Sequence, residues 1–261
     1  MKRLDNKVAV ITGSGRGIGK GIALSFAEEG AKVVIATIEE EEGLLLEREL
    51  KNQGIDALFI QTDVSSEQSI GEMVMKTVNF FGRIDILVNN AGITLFKSLI
   101  DSTLDDWENV INIDLRGTFL CSKYVVPYMI EAGRGSIINI SSNHSIATLP
   151  NTEIYAAAKG GINAMTRSMA LSLGPKNIRV NAICPGFTDT PHYRTWLLNQ
   201  GNPEEVEAEV LNLHAHRKIC TPQDIGNLAV FLGSEDSEKM TGETITLDGG
   251  LSSRLYNSKI C

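Results

Sequence analysis

Residues 8–19 read VAVITGSGRGIG, an apolar, β-branched run that ends in a glycine-rich turn. The run Val8–Thr12 predicts a buried strand, and the helical period over Ile18–Glu29 predicts a helix directly after the turn. In this order, the start of the helix presents backbone N–H groups to an anion such as a phosphate. The stretch therefore predicts the first unit of a nucleotide-binding α/β sheet.

The spacing of the glycines separates three kinds of phosphate loop. The GxGxxG fingerprint fails because an apolar or basic residue falls where the last glycine is needed. The P-loop fails because Gly21 falls where Ser or Thr must bind magnesium. The spacing that matches is GxxxGxG, at Gly13, Gly17 and Gly19. A plain glycine-rich turn is the alternative, but the strand–turn–helix context favours a dinucleotide site.

The same alternation continues along the chain. Short apolar runs alternate with longer segments of helical period such as Thr103–Glu131, which is typical of a parallel sheet with helices on both faces. Ser65-Ser66-Glu67-Gln68 predicts a capping box at the start of the third helix. We expect one Rossmann-type doubly wound α/β domain over residues 1–261, with a parallel sheet of about seven strands. The further predicted strands are Lys32–Thr37, Asp56–Gln61, Ile84–Asn89, Gly135–Ser141, Ile178–Ile183 and Thr244–Leu247.

Composition excludes several classes of protein. The 261 residues are 43% hydrophobic and 21% charged, which are ordinary values for a globular chain. The 24 basic and 32 acidic residues give a net charge of -8, so a nucleic acid partner is not expected. No run approaches the roughly 18 apolar residues of a membrane helix, and no signal peptide is evident, so we expect a cytoplasmic protein without a membrane partner. The four cysteines are far apart and predict neither a disulfide framework nor a metal site.

Small and polar residues follow several of the predicted strands. Asp63-Val64 follows the third strand, Asn89–Gly92 ends the fourth, and Pro185–Thr190 follows the sixth. Each could be an ordinary turn. The carboxyl ends of parallel strands meet at one edge, however, and sheets of this class bind their ligands there. Together these residues predict a groove long enough for a dinucleotide.

Tyr155 and Lys159 lie on one face of a predicted helix, in the segment YAAAK. Because a nearby ammonium stabilises a phenolate, such a tyrosine could donate a proton to a carbonyl or remove one from an alcohol. A surface helix pair is the alternative. Ser141 and Ser142 end the fifth strand close to this helix. Asn112, in the middle of a predicted helix, could reach Lys159 through water or simply face solvent.

These motifs together resemble the short-chain dehydrogenase/reductase family in its compact single-domain form. The resemblance covers nearly the whole chain, from Thr12-Gly13 to Leu247–Gly250, and the family's spacing to the tyrosine selects Ser142 over Ser141. It implies an NAD(P)-dependent oxidoreductase that interconverts a secondary alcohol and a ketone, commonly as a homotetramer. The catalytic residues that it implies are Asn112, Ser142, Tyr155 and Lys159. The cofactor contacts that it implies are Gly13, Ser14, Arg16, Ile18, Thr37, Asp63, Val64, Asn90, Gly92, Tyr155, Lys159, Pro185, Gly186, Thr188 and Thr190.

The choice between NAD and NADP depends on the end of the second strand. Thr37 stands where the family's NAD users carry Asp, and Ile38 follows where many NADP users carry Arg. Arg16 could meet a 2′-phosphate, whereas the acidic run Glu39–Glu42 would repel one. The balance favours NAD.

Substrate selection is predicted in a lid over residues 188–216, which contains aromatics, Gly201, Pro203 and an acidic stretch. Its mixed character suits a sugar, polyol or hydroxy acid, and a hydroxysteroid or bile acid is the alternative. A dinucleotide-dependent epimerase or dehydratase and a non-catalytic cofactor-sensing module also remain open. The tail Leu251–Cys261 could cover a neighbouring active site. Candidate substrate contacts are His144, Glu153, His192, Tyr193 and Trp196.

Overall fold

The structure, a computed structural model, describes residues 2–255 and contains a sheet of seven parallel strands in the order β3-β2-β1-β4-β5-β6-β7. The order of the strands reverses at β1, which pairs with β2 on one side and with β4 on the other. This reversal creates a crevice outside the carboxyl ends of the strands. The predicted doubly wound sheet is confirmed. The strands are β1 Val8–Thr12, β2 Lys32–Thr37, β3 Ala57–Gln61, β4 Ile86–Asn89, β5 Gly135–Ile140, β6 Ile178–Pro185 and β7 Thr244–Leu247.

Helices connect the strands and cover both faces of the sheet. A π-helix, Ile111–Arg116, separates two of the α-helices, and short 3-10 helices follow β5, the sixth helix and the ninth helix. The α-helices are α1 Gly17–Glu28, α2 Glu40–Asn52, α3 Glu67–Phe81, α4 Leu104–Val110, α5 Gly117–Glu131, α6 Glu153–Leu173, α7 Pro191–Leu198, α8 Pro203–Leu213 and α9 Pro222–Gly233.

Two apolar cores hold the strands in place. Helices α1, α2 and α9 pack on one face around Phe26 and Leu46, and helices α3, α5 and α6 pack on the other around Met73 and Val125. All four of these side chains are fully buried. Burial of each large apolar side chain contributes about 1.5–3 kcal/mol. The strand ends are therefore fixed by packing on both faces of the sheet.

Several predicted boundaries and one predicted helix cap differ in the structure. The predicted helix Thr103–Glu131 is interrupted, because the π-helix lies between α4 and α5. Ser66, rather than Ser65, caps α3 and accepts a hydrogen bond from the Ser69 N–H at 3.3 Å. The predicted capping box is wrong because the third residue of that helix is Ser69, which has no carboxylate or amide to return the bond. Strand β4 begins two residues late, at Ile86, and β6 continues to Pro185.

The predicted lid consists of two short helices. Helices α7 and α8 contribute Tyr193, Leu197 and Val210 to a small apolar cluster of their own. Within residues 2–255, no helix is both long enough and apolar enough to cross a membrane. Residues 256–261 of the tail, for which we predicted a role at a neighbouring site, lie outside the described residues.

Candidate active site

A cleft of about 550 Å³ crosses the carboxyl ends of the central strands. The glycine turn forms one wall, and the start of α6 and the loop after β6 form the other. Its position at the reversal of the sheet agrees with the groove predicted from the sequence. The predicted residues that line it are Gly13, Arg16, Ile18, Thr37, Asp63, Val64, Asn90, Gly92, Ser142, Tyr155, Lys159, Pro185, Gly186, Thr190 and His192.

The glycine turn is packed against the loop that follows β4. Gly13 has a φ of +63°, and a Cβ at Gly19 would lie only 2.3 Å from the Gly13 carbonyl oxygen. The Asn90 side-chain amide donates to the Thr12 and Gly13 carbonyl oxygens at 2.9 and 3.0 Å. Ser14 is fully buried and donates to the Ile11 carbonyl oxygen at 2.7 Å, so its hydroxyl points into the turn and not into the cleft.

The start of α1 has no side-chain cap. Arg16 occupies the N-cap position without a capping hydrogen bond, and the first turn contains no acidic residue. Helices α2 and α6 also lack a side-chain cap, whereas α3, α4, α7, α8 and α9 are each capped by a Ser, Thr or Asn side chain. The first N–H groups of α1 line the cleft and remain available to an anion, which the helix dipole would attract.

Three of the four predicted catalytic side chains come together at the other end of the cleft. Ser142 ends the extended segment after β5, and its hydroxyl accepts a hydrogen bond from the His144 N–H at 3.2 Å. Tyr155 and Lys159 lie one turn apart on α6, and the Lys159 Nζ is 5.4 Å from the centre of the Tyr155 ring. All three line the cleft. A hydroxyl, a phenol and an ammonium therefore face the same cleft.

Lys159 is buried, with 4% of its surface exposed. Its Nζ lies 3.1 Å from Asp114 Oδ2 and donates to the Ile140 carbonyl oxygen at 3.2 Å. Burial alone would lower the pKa of Lys159, but the Asp114 carboxylate, and after it Tyr155, raise that pKa above its ordinary value. Lys159 therefore carries a positive charge at neutral pH.

Asp114 was missed by the sequence analysis, which selected Asn112. Both residues lie in the π-helix, where the Gly117 N–H bonds to the Asn112 carbonyl oxygen five residues back. Among residues 2–255 the Asn112 side chain makes no hydrogen bond, and it does not line the cleft. Regular helical spacing cannot show which of two nearby side chains turns inward when the helix is widened. The available signal was an acidic residue directly between two apolar residues, Ile113 and Leu115.

At the end of the cleft formed by the glycine turn, Glu39 contacts Thr37 and Arg16, the two residues considered for the choice between NAD and NADP. Its carboxylate accepts a hydrogen bond from the Thr37 hydroxyl at 2.5 Å and forms an ion pair with Arg16 at 3.2 Å. All three side chains line the cleft. The guanidinium that could meet a 2′-phosphate is thus paired with a carboxylate of this chain.

Asp63 and Thr188 are engaged in local turns. The Asp63 carboxylate accepts hydrogen bonds from the Ser65 N–H and hydroxyl at 2.8 and 2.7 Å. Thr188 is buried and donates to the Gly186 carbonyl oxygen at 3.1 Å, so it does not line the cleft. Thr190 lines the cleft while its hydroxyl caps α7.

The predicted substrate contacts fall into two groups. His192 lines the cleft, and the His144 ring packs edge-on against Tyr155 with centroids 5.5 Å apart. Burial lowers the pKa of His144, so its ring is neutral near pH 7. Tyr193 and Trp196 instead pack inside the lid, where Tyr193 is 5% exposed. Glu153 is exposed in the first turn of α6.

The chain is similar over most of its length to a family of reductases and to several dehydrogenases. A family model described as enoyl-(acyl carrier protein) reductase matches residues 13–252. The chain is 40% identical to a 3-oxoacyl-(acyl-carrier-protein) reductase of Thermotoga maritima, over 95% of this chain and 99% of that protein. It is 41% identical to the trans-4-hydroxycyclohexanecarboxylate dehydrogenase of Sinomonas cyclohexanicum, over 95% of this chain and 93% of that protein.

A solved structure shares the whole fold. A candidate gluconate dehydrogenase from Agrobacterium tumefaciens superposes with a TM-score of 0.91 at 34% identity, covering 97% of this chain and 98% of that one. The seven-stranded parallel sheet agrees with this structural match. The chain belongs to the short-chain dehydrogenase/reductase family and is an oxidoreductase that acts on CH–OH groups.

Proposed function

We propose that this chain interconverts a secondary alcohol and a ketone, with a nicotinamide dinucleotide as cofactor and Tyr155 as the acid and base. The observation that carries the proposal is a single cleft with the uncapped start of α1 at one end and Ser142, Tyr155 and Lys159 at the other. The N–H groups of α1 fit a pyrophosphate. The far end fits a substrate oxygen.

Each catalytic side chain has a role that follows from its place. When bound, the nicotinamide accepts or supplies the hydride. Tyr155 donates a proton to the carbonyl oxygen in reduction and removes it from the alcohol in oxidation. The Ser142 hydroxyl donates a hydrogen bond to the same oxygen as negative charge develops there. The charged Lys159 would stabilise the phenolate form of Tyr155 and would also hold the nicotinamide ribose.

For the cofactor we propose NAD. Glu39 could accept hydrogen bonds from both hydroxyls of the adenosine ribose, and its charge would repel a 2′-phosphate. Its ion pair with Arg16 also occupies the guanidinium that a phosphate would need. Initial rates with NAD and NADP at equal concentration test this, and a preference for NADP would overturn it.

For the substrate we propose a hydroxy acid or polyol. Two similar proteins carry names that point to hydroxylated carboxylic acids, trans-4-hydroxycyclohexanecarboxylate and gluconate. The lining of the cleft in this chain includes Ile93 and Thr94 as well as His192, and so offers both apolar and polar contacts. A homotetramer and a cytoplasmic location remain predictions of ours.

The deciding experiment is a panel of alcohols and ketones, followed by the absorbance of the reduced cofactor. The panel compares matched pairs that differ in the carboxylate: 4-hydroxycyclohexanecarboxylate with cyclohexanol, and gluconate with glucose. A hydroxysteroid represents the alternative class of flat substrates. We expect net redox change, and a higher kcat/KM for the member of a pair that carries the carboxylate. An isomerised product without redox change would indicate an epimerase, and cofactor binding without turnover would indicate a sensing module; either would overturn the proposal.

A further inference from the structure

The Asp114 carboxylate connects two parts of the site. Its Oδ2 lies 3.1 Å from the Lys159 Nζ, and its Oδ1 accepts a hydrogen bond from the Ile93 N–H at 2.9 Å. Asp114 is 0% exposed and the Lys159 side chain 5% exposed. Because an isolated charge is costly to bury, two buried opposite charges in contact stabilise each other's charged forms.

The π-helix turns Asp114 inward and holds it there. The Thr118 hydroxyl, in the first turn of α5, donates to the Asp114 carbonyl oxygen at 2.7 Å. Extra residues of this kind in helices are frequent at functional sites. The backbone of Asp114 is thus fixed independently of its carboxylate.

The loop after β4 closes over the same carboxylate. A Cβ at Gly92 would lie 3.1 Å from Asp114 Oδ2, so a side chain there would press on the ion pair. Gly92 and Ile93 both line the cleft beside Tyr155. Asp114 therefore touches the lysine from one side and the wall of the cleft from the other.

We propose that Asp114 is the positioning residue for Lys159, and that its negative charge moderates the positive charge that Lys159 presents to Tyr155. The family resemblance led us to expect the neutral amide of Asn112 as the polar partner of the lysine. In this chain the partner is a carboxylate. The lysine is held between Asp114 and the Ile140 carbonyl oxygen, with its charge balanced within 3.1 Å.

Few other ionisable groups act on this pair. His144 faces Tyr155 from the 3-10 helix after β5, and Cys184 faces Lys159 from β6. Burial lowers the pKa of His144, which is therefore neutral near pH 7. The remaining ionisable side chains on α6 and on the elements packed against it do not line the cleft: Asp105, Asp106, Glu108, Arg116, Glu153, Arg167, Lys176 and Arg179. A test of the proposal should therefore remove the negative charge of Asp114.

The sign of the effect follows from electrostatics. Removing a negative charge favours loss of a proton from every group that interacts with it. In Asp114→Asn, Lys159 and Tyr155 would therefore both ionise at lower pH, whichever of them is followed. The amide keeps the size of the side chain and can still accept the Ile93 N–H.

The test is a pH titration of tyrosinate absorbance in the cofactor-free protein, with Tyr155→Phe in each background as the blank. The difference isolates the ionisation of Tyr155 and needs neither substrate nor cofactor, so its outcome is separate from that of the proposed function. We expect the midpoint in Asp114→Asn to fall by about one pH unit. An unchanged or higher midpoint would overturn the proposal.

Two variants complete the design. Asp85→Asn removes an equally buried carboxylate, 4% exposed, from the opposite end of the strands, and we expect it to leave the Tyr155 midpoint in place. Asn112→Ala decides between the two π-helix residues and serves alone if Asp114→Asn does not fold. An unchanged midpoint in Asn112→Ala supports the assignment to Asp114, whereas a shift would show that Asn112 holds the role.

Discussion

Two buried carboxylates, Asp85 and Asp114, lie at opposite ends of the same sheet. Asp85 is 4% exposed just before β4, where it accepts the Val8 N–H at 2.9 Å and pairs with Arg83. Asp114 is 0% exposed at the carboxyl ends of the strands and pairs with Lys159. The two partners of Asp85, Arg83 and Arg134, reach solvent, with 38% and 48% of their side chains exposed, whereas the partner of Asp114 faces the cleft.

The difference shows that burial and pairing do not by themselves mark a functional carboxylate. In a doubly wound sheet the amino ends of the strands are closed by such contacts, while the carboxyl ends meet at the crevice where ligands bind. We therefore expect substitutions at the amino ends of the strands to change stability, and substitutions of side chains that line the cleft to change turnover. The variants below test this separation.

The largest effect is expected at Tyr155. Tyr155→Phe keeps the ring and its contact with His144 but removes the proton that the reaction exchanges. Loss of a positioned acid or base costs about 10²–10⁴-fold in rate, so we expect kcat to fall roughly 1000-fold with little change in Tm. Steady-state rates and thermal unfolding of the same sample measure both.

Tyr128→Phe on α5 is the matched control, since Tyr128 lies outside the cleft. It should leave kcat within about twofold of the unsubstituted protein. Near-full activity of Tyr155→Phe would show that Tyr155 is not the proton donor.

Asp85→Asn should have the next largest effect, and on stability alone. The amide can still accept the Val8 N–H, but it removes the negative charge that pairs with Arg83 and Arg134 at the amino ends of the strands. Breaking a fully buried pair costs about 3–5 kcal/mol, and because Arg83 is partly exposed we expect about 2 kcal/mol in the free energy of unfolding. Urea unfolding measures it, and kcat should not change. A large loss of kcat in a folded Asp85→Asn protein would contradict the separation of the two edges.

Glu39→Gln tests a residue that lines the cleft, and we expect a smaller effect, on the choice of cofactor. The amide removes the charge that would repel a 2′-phosphate and frees Arg16 from its ion pair. We expect the ratio of kcat/KM for NAD to that for NADP to fall about tenfold, which corresponds to about 1.4 kcal/mol. Glu41→Gln makes the same charge change at an exposed residue of α2 outside the cleft, and should leave the ratio unchanged. Equal ratios in the two variants would mean that Glu39 acts only through the general field of the acidic run.

Much of the site could be predicted from the sequence because most of its residues come directly after a predicted strand. The glycine turn, Asn90 and Ser142 come directly after apolar runs, and a strand end fixes the edge on which a residue lies. Asp114 could not be found in the same way. It lies inside a helix, and the π-helix shifts the face that regular 3.6-residue spacing assigns to it. The lid was equally hard to predict, because Tyr193 and Trp196 pack on each other rather than on the sheet.

The smallest effect is expected at Ser66, which lies near the carboxyl end of β3 but outside the cleft. Its hydroxyl accepts the Ser69 N–H at 3.3 Å and so caps α3. Replacing such a cap with alanine costs about 1 kcal/mol, so Ser66→Ala should lower the free energy of unfolding by that amount without changing cofactor affinity. Ser172→Ala, at an exposed hydroxyl near the end of α6, is the control and should cost less. Urea unfolding and a cofactor titration separate the two quantities. A loss of cofactor affinity in Ser66→Ala would mean that a residue near the carboxyl ends of the strands can affect cofactor binding even when it does not line the cleft.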